Sequence, residues 1–130
     1  MRVCWTFRCY VGSSGRDMIA VWYRRQPAAV QAAFDTLLEY LVQRERHEWA
    51  RPEFDQLGGR YRDLGELRFK VGNVQYRPLG FFGPARGEFT ILAGASKKGS
   101  VYDPRDALET ARKRRLEVLK DPDRSKICDH

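Results

Sequence analysis

The chain has 130 residues and a formal net charge of +7, with 42% hydrophobic and 12% aromatic residues. That length suits one compact domain, and the hydrophobic content excludes a disordered polyelectrolyte. No apolar run reaches the roughly 18–20 residues of a membrane-spanning helix, and the first residues have a strand-like pattern rather than that of a signal peptide. The basic charge favours a phosphate-bearing partner, nucleic acid rather than a membrane.

The three cysteines, Cys4, Cys9 and Cys128, do not have the spacing of metal ligands. Cys4 and Cys9 would face opposite sides of one strand, where they cannot bridge easily. We therefore expect a reducing, cytoplasmic location. The sequence also lacks a zinc set and a phosphate-binding loop in the right context, so we expect no metal and no other cofactor.

The first half of the chain predicts one strand and two helices. Residues 5–11 alternate between apolar and polar side chains, which is typical of a strand. Ser14 or Gly15 is predicted to cap a short helix that has Asp17 in its first turn and runs through Arg25. A second helix is predicted from Pro27 to about Arg46. The second helix has an apolar face that predicts packing on a sheet, formed by Val30, Ala33, Phe34, Leu37, Leu38 and Leu41.

The second half predicts three strands and a helix. Residues 66–71 and 74–82 form a hairpin with a tight turn at Gly72-Asn73, and residues 89–95 form a further strand. Pro104 is predicted to open a last helix, with Asp103 as its cap. The fold class is therefore α+β, with a small antiparallel sheet packed on the two N-terminal helices, in the order β-α-α-β-β-β-α. One domain is expected over residues 1–120, followed by a flexible tail over residues 121–130.

Positive charge is concentrated in the hairpin region. The segment from Arg60 to Lys98 contains eight basic and three acidic residues, whereas the segments on either side each have a net charge of +1. The two-residue turn also fixes the register of the hairpin. In that register Lys70 lies across from Gln75.

The same register places Arg68 across from Arg77. Like charges directly opposite on a sheet are destabilising by up to about 1 kcal/mol, so an anion is expected between the two guanidinium groups. Three alternatives remain open: a buried carboxylate such as Glu66 or Asp63, a bound phosphate, or an incorrect register.

The predicted face also changes character along the strand. Leu79 and Phe81 would share the face of Arg77. Either a bulge near Gly80 shifts the face, or the face is basic at one end and apolar at the other. The second arrangement would form a concave site with apolar walls, as many ligand sites have.

Catalysis by this chain would depend on Arg, Lys and Tyr, because no nucleophile elbow or suitably spaced carboxylate pair is visible. This inventory suits the cleavage of RNA by its own 2′-OH. In that reaction the protein orients the substrate, moves protons and stabilises a doubly charged phosphorane. A lysine whose pKa is lowered by neighbouring cations can serve as the base.

Several ordered motifs resemble the phage-derived HigB-like toxins of the RelE/ParE superfamily of type II toxin–antitoxin systems. The resemblance spans roughly residues 60–118 and implies a cytoplasmic toxin that cuts mRNA in the ribosomal A site. It also implies a helix-turn-helix antitoxin encoded nearby. The chain departs from the family at Gly65 and Ala95, where an aromatic residue is usual or frequent. The motifs are Glu66-Leu67-Arg68-Phe69, Tyr76-Arg77, Phe89-Thr90-Ile91-Leu92, Lys97-Lys98, and Pro104 before a helix with Ala111.

The resemblance implies catalytic roles for four basic residues, Arg68, Arg77, Lys97 and Lys98. We expect further contacts with RNA from Lys70, Tyr102, Arg112, Lys113 and Arg115. The alternative function is non-catalytic: a gyrase-directed ParE-like toxin, or a phage-derived protein that binds nucleic acid without cutting it.

Overall fold

The computed structural model describes residues 2–129. Three α-helices lie in this part of the chain: α1 (Met18–Arg24), α2 (Ala28–Leu41) and α3 (Ala107–Lys120). The strands are β1 (Thr6–Tyr10), β2 (Phe54–Gln56), β3 (Gly65–Leu67), β4 (Phe69–Val71), β5 (Val74–Tyr76), β6 (Leu79–Phe82), β7 (Glu88–Ala93), β8 (Ser96–Lys98), β9 (Val101–Asp103) and β10 (Ser125–Ile127).

The strands form two sheets rather than the single small sheet predicted. One sheet has six strands in the order β10-β1-β7-β6-β3-β2, and the other has four in the order β4-β5-β8-β9. Neighbouring strands are antiparallel except β1 and β7, which are parallel. The α+β class is confirmed. The predicted element order is not reproduced, because several strands of only three residues are too short to show a periodic pattern.

The large sheet is packed on both faces. Helix α2 buries Phe34 and Leu41 in a cluster with Trp49, Phe54 and Phe89. Helix α3 contributes to a second cluster that contains Leu79 and Leu92. The apolar face predicted for α2 is therefore confirmed, although the helix ends at Leu41 rather than near Arg46.

The ends of two helices differ from the sequence prediction. Asp17 is the N-cap of α1, where its side chain accepts hydrogen bonds from the backbone N–H groups of Ile19 and Ala20 at 3.0 and 2.8 Å. Helix α3 begins at Ala107, so Pro104 and Asp103 precede it rather than forming its first turn. None of the helices in residues 2–129 is long and apolar enough to cross a lipid bilayer.

The predicted register of the hairpin is confirmed. Val71 pairs with Val74 and Lys70 with Gln75 around the turn, where Gly72 has a φ of 60°. The same register reappears further along both arms, where Glu66 pairs with Leu79. A bulge between Leu79 and Gly80 shifts the pairing of β6 with β7, so the first of the two proposed arrangements near Gly80 is present.

The two arms of the hairpin leave one sheet and enter the other at Arg68 and Arg77. The backbone N–H of Arg68 donates to the carbonyl of Glu53 at 2.8 Å, and that of Arg77 donates to the carbonyl of Ala95 at 2.8 Å. At this point each arm therefore bonds to an outer neighbour. The consequence is a boundary between the two sheets that lies at the pair of facing arginines.

Close packing explains why Gly65 stands where the resembling family has an aromatic residue. A Cβ atom at Gly65 would overlap the ring of Phe54, which is fully buried on the adjacent strand β2. Here the aromatic volume comes from β2 instead of β3. Any larger residue at position 65 would have to displace that ring.

Residues 121–129, in the segment predicted as a flexible tail, return to the first strand in the structure. Strand β10 pairs with β1, and a disulfide joins Cys128 to Cys9, with the two Cα atoms 5.2 Å apart. Arg124 donates to the carbonyl of Val11 at 3.0 Å. The sequence did not indicate a bridge between Cys9 and Cys128, because nothing local in it shows that β10 pairs with β1.

The disulfide yields a prediction for stability. A cross-link between residues 119 apart restricts the unfolded chain, so Cys128→Ser should lower the free energy of unfolding by about 2–4 kcal/mol. Urea denaturation without reductant measures this loss. Cys4→Ser, which removes a free cysteine, is the matched control and should leave the midpoint unchanged. Equal midpoints for the wild type and Cys128→Ser would contradict the cross-link.

Candidate functional site

A buried carboxylate lies between the two facing arginines. Glu66 is 1% exposed, and its Oε1 atom accepts a hydrogen bond from Nη1 of Arg68 at 2.5 Å. The same oxygen lies 3.9 Å from Nε of Arg77. Of the alternatives that the sequence left open, the structure supports the carboxylate of Glu66. Asp63 instead pairs with Arg115 at 3.5 Å.

Tyr102 completes this network from the other side. Its hydroxyl donates a hydrogen bond to Oε2 of Glu66, and the residue is 8% exposed. Burial, followed by the hydrogen bond to Glu66, raises the pKa of Tyr102 well above its ordinary value. The phenol is therefore neutral at physiological pH and acts as a hydrogen-bond donor, not as a base. We refer below to Glu66, Arg68, Arg77 and Tyr102 as the Glu66 network.

The guanidinium of Arg77 is largely satisfied by the protein itself. Its Nη1 donates to the carbonyl of Tyr76 at 2.8 Å, and its Nη2 donates to Oε1 of Gln75 at 2.6 Å. Burial, followed by the charge of Arg68, lowers the pKa of Arg77. The Nε–H groups of both Arg68 and Arg77 are buried and have no hydrogen-bond partner in the described structure. Such unpaired donors are rare, and burial keeps both of these Nε atoms from solvent, as it does Nε of Arg115.

A row of polar side chains crosses the small sheet beside the Glu66 network. Lys70 pairs with Gln75, Gln75 with Lys97, and Lys97 with Tyr102. Because paired residues lie on the same face of a sheet, these four side chains share one face. The Nζ atom of Lys97 lies 4.9 Å from the centre of the Tyr102 ring. The row therefore connects Lys70 and Lys97 with the two arginines.

The two adjacent lysines do not share this face. Lys98 pairs with Val101, and successive residues of a strand point to opposite sides. Lys97 is half-buried beside Tyr102, whereas Lys98 is exposed. The structure thus brings Lys97 into the predicted site and places Lys98 on the opposite face. The sequence showed the pair but not that both lysines belong to one strand.

The basic residues predicted on α3 have other partners. Arg112 donates to Oε1 of Glu109 at 2.6 Å, and Arg115 lies near Asp63 and over the ring of Phe81, 5.5 Å from its centre. Lys113 is exposed. The hydrogen bond from Arg112, and next that from Arg60, lowers the pKa of Glu109 to about 2. These arginines are therefore held in ion pairs outside the Glu66 network.

A groove opens beside Arg68 and Arg77, between α2 and β4, and has a volume of about 530 Å³. We call it the α2–β4 groove. Its walls are mostly apolar, and the basic side chains of Arg68, Lys70 and Arg77 also line it. Its other lining residues are Ala33, Thr36, Leu37, Tyr40, Pro52, Glu53, Phe69 and Gln75.

Sequence reasoning missed the contribution of α2 to this site. Ala33 and Leu37 were assigned to packing, and Thr36 and Tyr40 were not singled out. The available signal in the sequence was a large aromatic residue, Tyr40, outside the apolar face of an amphipathic helix. In the structure Tyr40 is 38% exposed. Gln75 was placed correctly across from Lys70, but its hydrogen bond to Arg77 could not be read from the pattern.

One cluster outside the groove has the composition of a metal site. Ligand atoms of Glu45, His47 and Glu48 lie within 4.8 Å of one another. Glu45 already pairs with Arg2, and Glu48 accepts a hydrogen bond from the backbone N–H of Glu45 at 2.9 Å. The cluster therefore caps a short 3₁₀ helix.

Comparison with known families gave one match. The model of a family described as phage derived protein Gp49-like (DUF891) matches residues 21–116. The matched segment contains the Glu66 network, α2 and the α2–β4 groove. Searches of curated proteins and of solved structures gave no significant match.

The Glu66 network leads to a prediction for stability. Glu66→Gln leaves two nearby guanidinium groups without their buried counter-charge, so the free energy of unfolding should fall by about 3–5 kcal/mol. Urea denaturation at neutral pH measures it. Glu109→Gln also removes a carboxylate that binds arginine, but its side chain is 30% exposed and those of its partners Arg112 and Arg60 are 32% and 64% exposed, so it should have a much smaller effect. Similar losses in the two variants would contradict a special role of Glu66.

The buried phenol leads to a prediction for pH dependence. Because the pKa of Tyr102 is raised from 10.0 in the folded state, its contribution to stability is complete below pH 10 and is lost as the pH rises further. In Tyr102→Phe, the free energy of unfolding should therefore decrease less steeply with pH above pH 10 than in the wild type. Urea denaturation at successive pH values measures this slope. Tyr40→Phe, on an exposed ring, is the control. An unchanged slope in Tyr102→Phe would show that the phenol does not hold its proton more tightly in the folded protein.

Proposed function

Because the chain belongs to the phage-derived Gp49-like family, a RelE/ParE-like toxin family, we propose that it is a toxin that cuts mRNA on the ribosome. The family is consistent with a toxin–antitoxin protein and implies an antitoxin partner in general. The proposal adds the ribosome, mRNA and a helix-turn-helix antitoxin. Since we propose ribosomes as its target, we also propose a cytoplasmic location. The cysteines no longer support this location, because Cys9 and Cys128 form a disulfide.

The observation that carries this proposal is the group of basic side chains along one open groove, where Arg68 is 19% exposed beside Lys70 and Arg77. Lys97 lies on the same face of the small sheet, across from Gln75. In RNA cleavage by the 2′-OH, the substrate supplies its own nucleophile. The protein must orient the phosphate and stabilise the charge that develops on it. Arginine is well suited to this task because its planar fork matches phosphate oxygens.

The two arginines would have different roles. The side chain of Arg68 is 19% exposed, whereas that of Arg77 is 6% exposed. We assign the direct phosphate contact to Arg68. Arg77 is bound to the backbone and to Gln75, so it would position Arg68 and Gln75 and add positive charge at close range.

Lys97 is the candidate for proton transfer or for a second phosphate contact. It is half-buried, and its ammonium lies over the ring of Tyr102. Tyr102 itself remains neutral, so it supports Glu66 instead of accepting a proton. Lys70 would contact the RNA backbone from the other end of the row, and exposed Lys113 could do so from α3. No cofactor is part of this proposal.

A second candidate function is binding without cleavage, as in a gyrase-directed ParE-like toxin or a phage-derived nucleic-acid-binding protein. The extensive hydrogen bonding of Arg77 within the protein favours it, because that guanidinium has little capacity left for a substrate. The basic face would then serve attraction rather than catalysis.

The two lysines of β8 provide a matched pair of variants. Lys97→Gln should reduce mRNA cleavage by at least about 100-fold, the lower range for loss of an acid–base or charge-stabilising group. Lys98→Gln, on the opposite face of the same strand, should stay within about twofold of the wild type. The measurement is primer extension on cellular mRNA after induction, together with growth arrest. Because Lys97 is half-buried, circular dichroism of both variants serves as the check on folding.

Two results would overturn this assignment. If Lys97→Gln cleaves mRNA as well as the wild type does, the face of the sheet that contains Lys97 is not the catalytic site. Growth arrest with DNA-damage signalling and without breaks in mRNA would favour the gyrase-directed alternative.

A further inference from the structure

The α2–β4 groove has a composition that phosphate binding alone does not require. Arg68, Lys70 and Arg77 lie at its polar side, and Glu53 is its one acidic residue. The remaining walls are formed mainly by Ala33, Leu37, Tyr40, Pro52 and Phe69. An inorganic anion would gain nothing from these apolar walls. An anion attached to a flat apolar body would use both parts of the groove.

Two aromatic rings of the groove are held in place by a second group. The guanidinium of Arg44 lies 4.5 Å from the centre of the Tyr40 ring, and Phe69 stacks on Tyr76 with ring centres 5.1 Å apart and planes 12° from parallel. Rings fixed in this way lose little conformational entropy when a ligand binds. Arg44 also adds a fourth positive charge close to the groove.

We propose that the α2–β4 groove is a nucleotide subsite, in which a base packs against Tyr40 and Phe69 while its phosphate contacts Arg68 and Lys70. The volume of about 530 Å³ lies within the range of about 300–1,000 Å³ typical of small-ligand sites. Aromatic side chains that stack on bases combined with cations that bind the backbone are the general means of binding single-stranded nucleic acid. This inference rests on the proposed function and specifies which part of the RNA is bound beside the reacting phosphate.

The test uses small ligands, so it does not depend on cleavage. The ¹⁵N-labelled full chain is titrated with guanosine 5′-monophosphate and, separately, with ribose 5-phosphate, which has the same phosphate but no base. Backbone amide shifts are followed by NMR. The nucleotide should shift the amides of Leu37, Tyr40 and Phe69 and should bind at least about fivefold more tightly than the sugar phosphate, the lower end for base–aromatic stacking.

A matched pair of variants locates the base. Tyr40→Ala truncates a ring that is 38% exposed and should weaken the nucleotide at least about fivefold, but the sugar phosphate less than twofold. Leu116→Ala, which truncates an exposed apolar residue (50%) on α3, should change neither affinity.

The outcomes separate this inference from the proposed function. Equal affinities for the two ligands, or nucleotide shifts outside the groove, would overturn the subsite. A third result would also overturn it. If the nucleotide shifts no amide of the groove but an added partner protein does, the groove is a protein-docking surface. Nucleotide binding in the groove, combined with no cleavage of mRNA by the wild type, would support the subsite and contradict the endonuclease.

Discussion

The rest of the site depends on the ionic interaction of the Glu66 carboxylate with Arg68 and Arg77. The turn at Gly72-Asn73 fixes a register that sets Arg68 across from Arg77, and two facing guanidinium groups are unfavourable without a counter-charge. Glu66 supplies that charge from within the protein, since it lies next to both arginines. It also accepts a hydrogen bond from the hydroxyl of Tyr102. The two arms of the hairpin and strand β9 are thereby tied together where the two sheets separate. A buried ionic network of this kind contributes less to net stability than well-packed apolar residues would, and its benefit is the placement of charge.

That placement leaves part of the positive charge of the two arginines uncompensated. Glu66 balances one of the two positive charges, so the pair keeps a net charge of +1, and Nε of each arginine remains without an acceptor. Functional sites often retain this kind of incomplete satisfaction. The groove is lined by both arginines and Lys70, and the row from Lys70 to Lys97 crosses the small sheet, so basic charge is concentrated in this region.

The local features of this chain could be predicted from its sequence, whereas features that depend on distant contacts could not. The hairpin register followed from a two-residue turn, and the buried face of α2 followed from its periodicity. The choice between Glu66 and a bound phosphate required knowledge of burial, which the pattern does not contain. Predicting that Lys97 and Lys98 point to opposite faces required knowing where a strand of only three residues begins and ends. The positions of Tyr40 and Thr36 in the wall of the groove depend on how α2 lies against β4, which is a tertiary property.

The pairing of β10 with β1 affects the order in which the protein can be completed. These strands come from opposite ends of the chain, and the residues joined by the disulfide are 119 positions apart. Contacts between distant segments form late, because their loop-closure entropy must first be offset by other interactions. During synthesis, the outer edge of β1 therefore stays open until strand β10 has been made. Until then the nascent chain has an unpaired strand edge to which another polypeptide could bind.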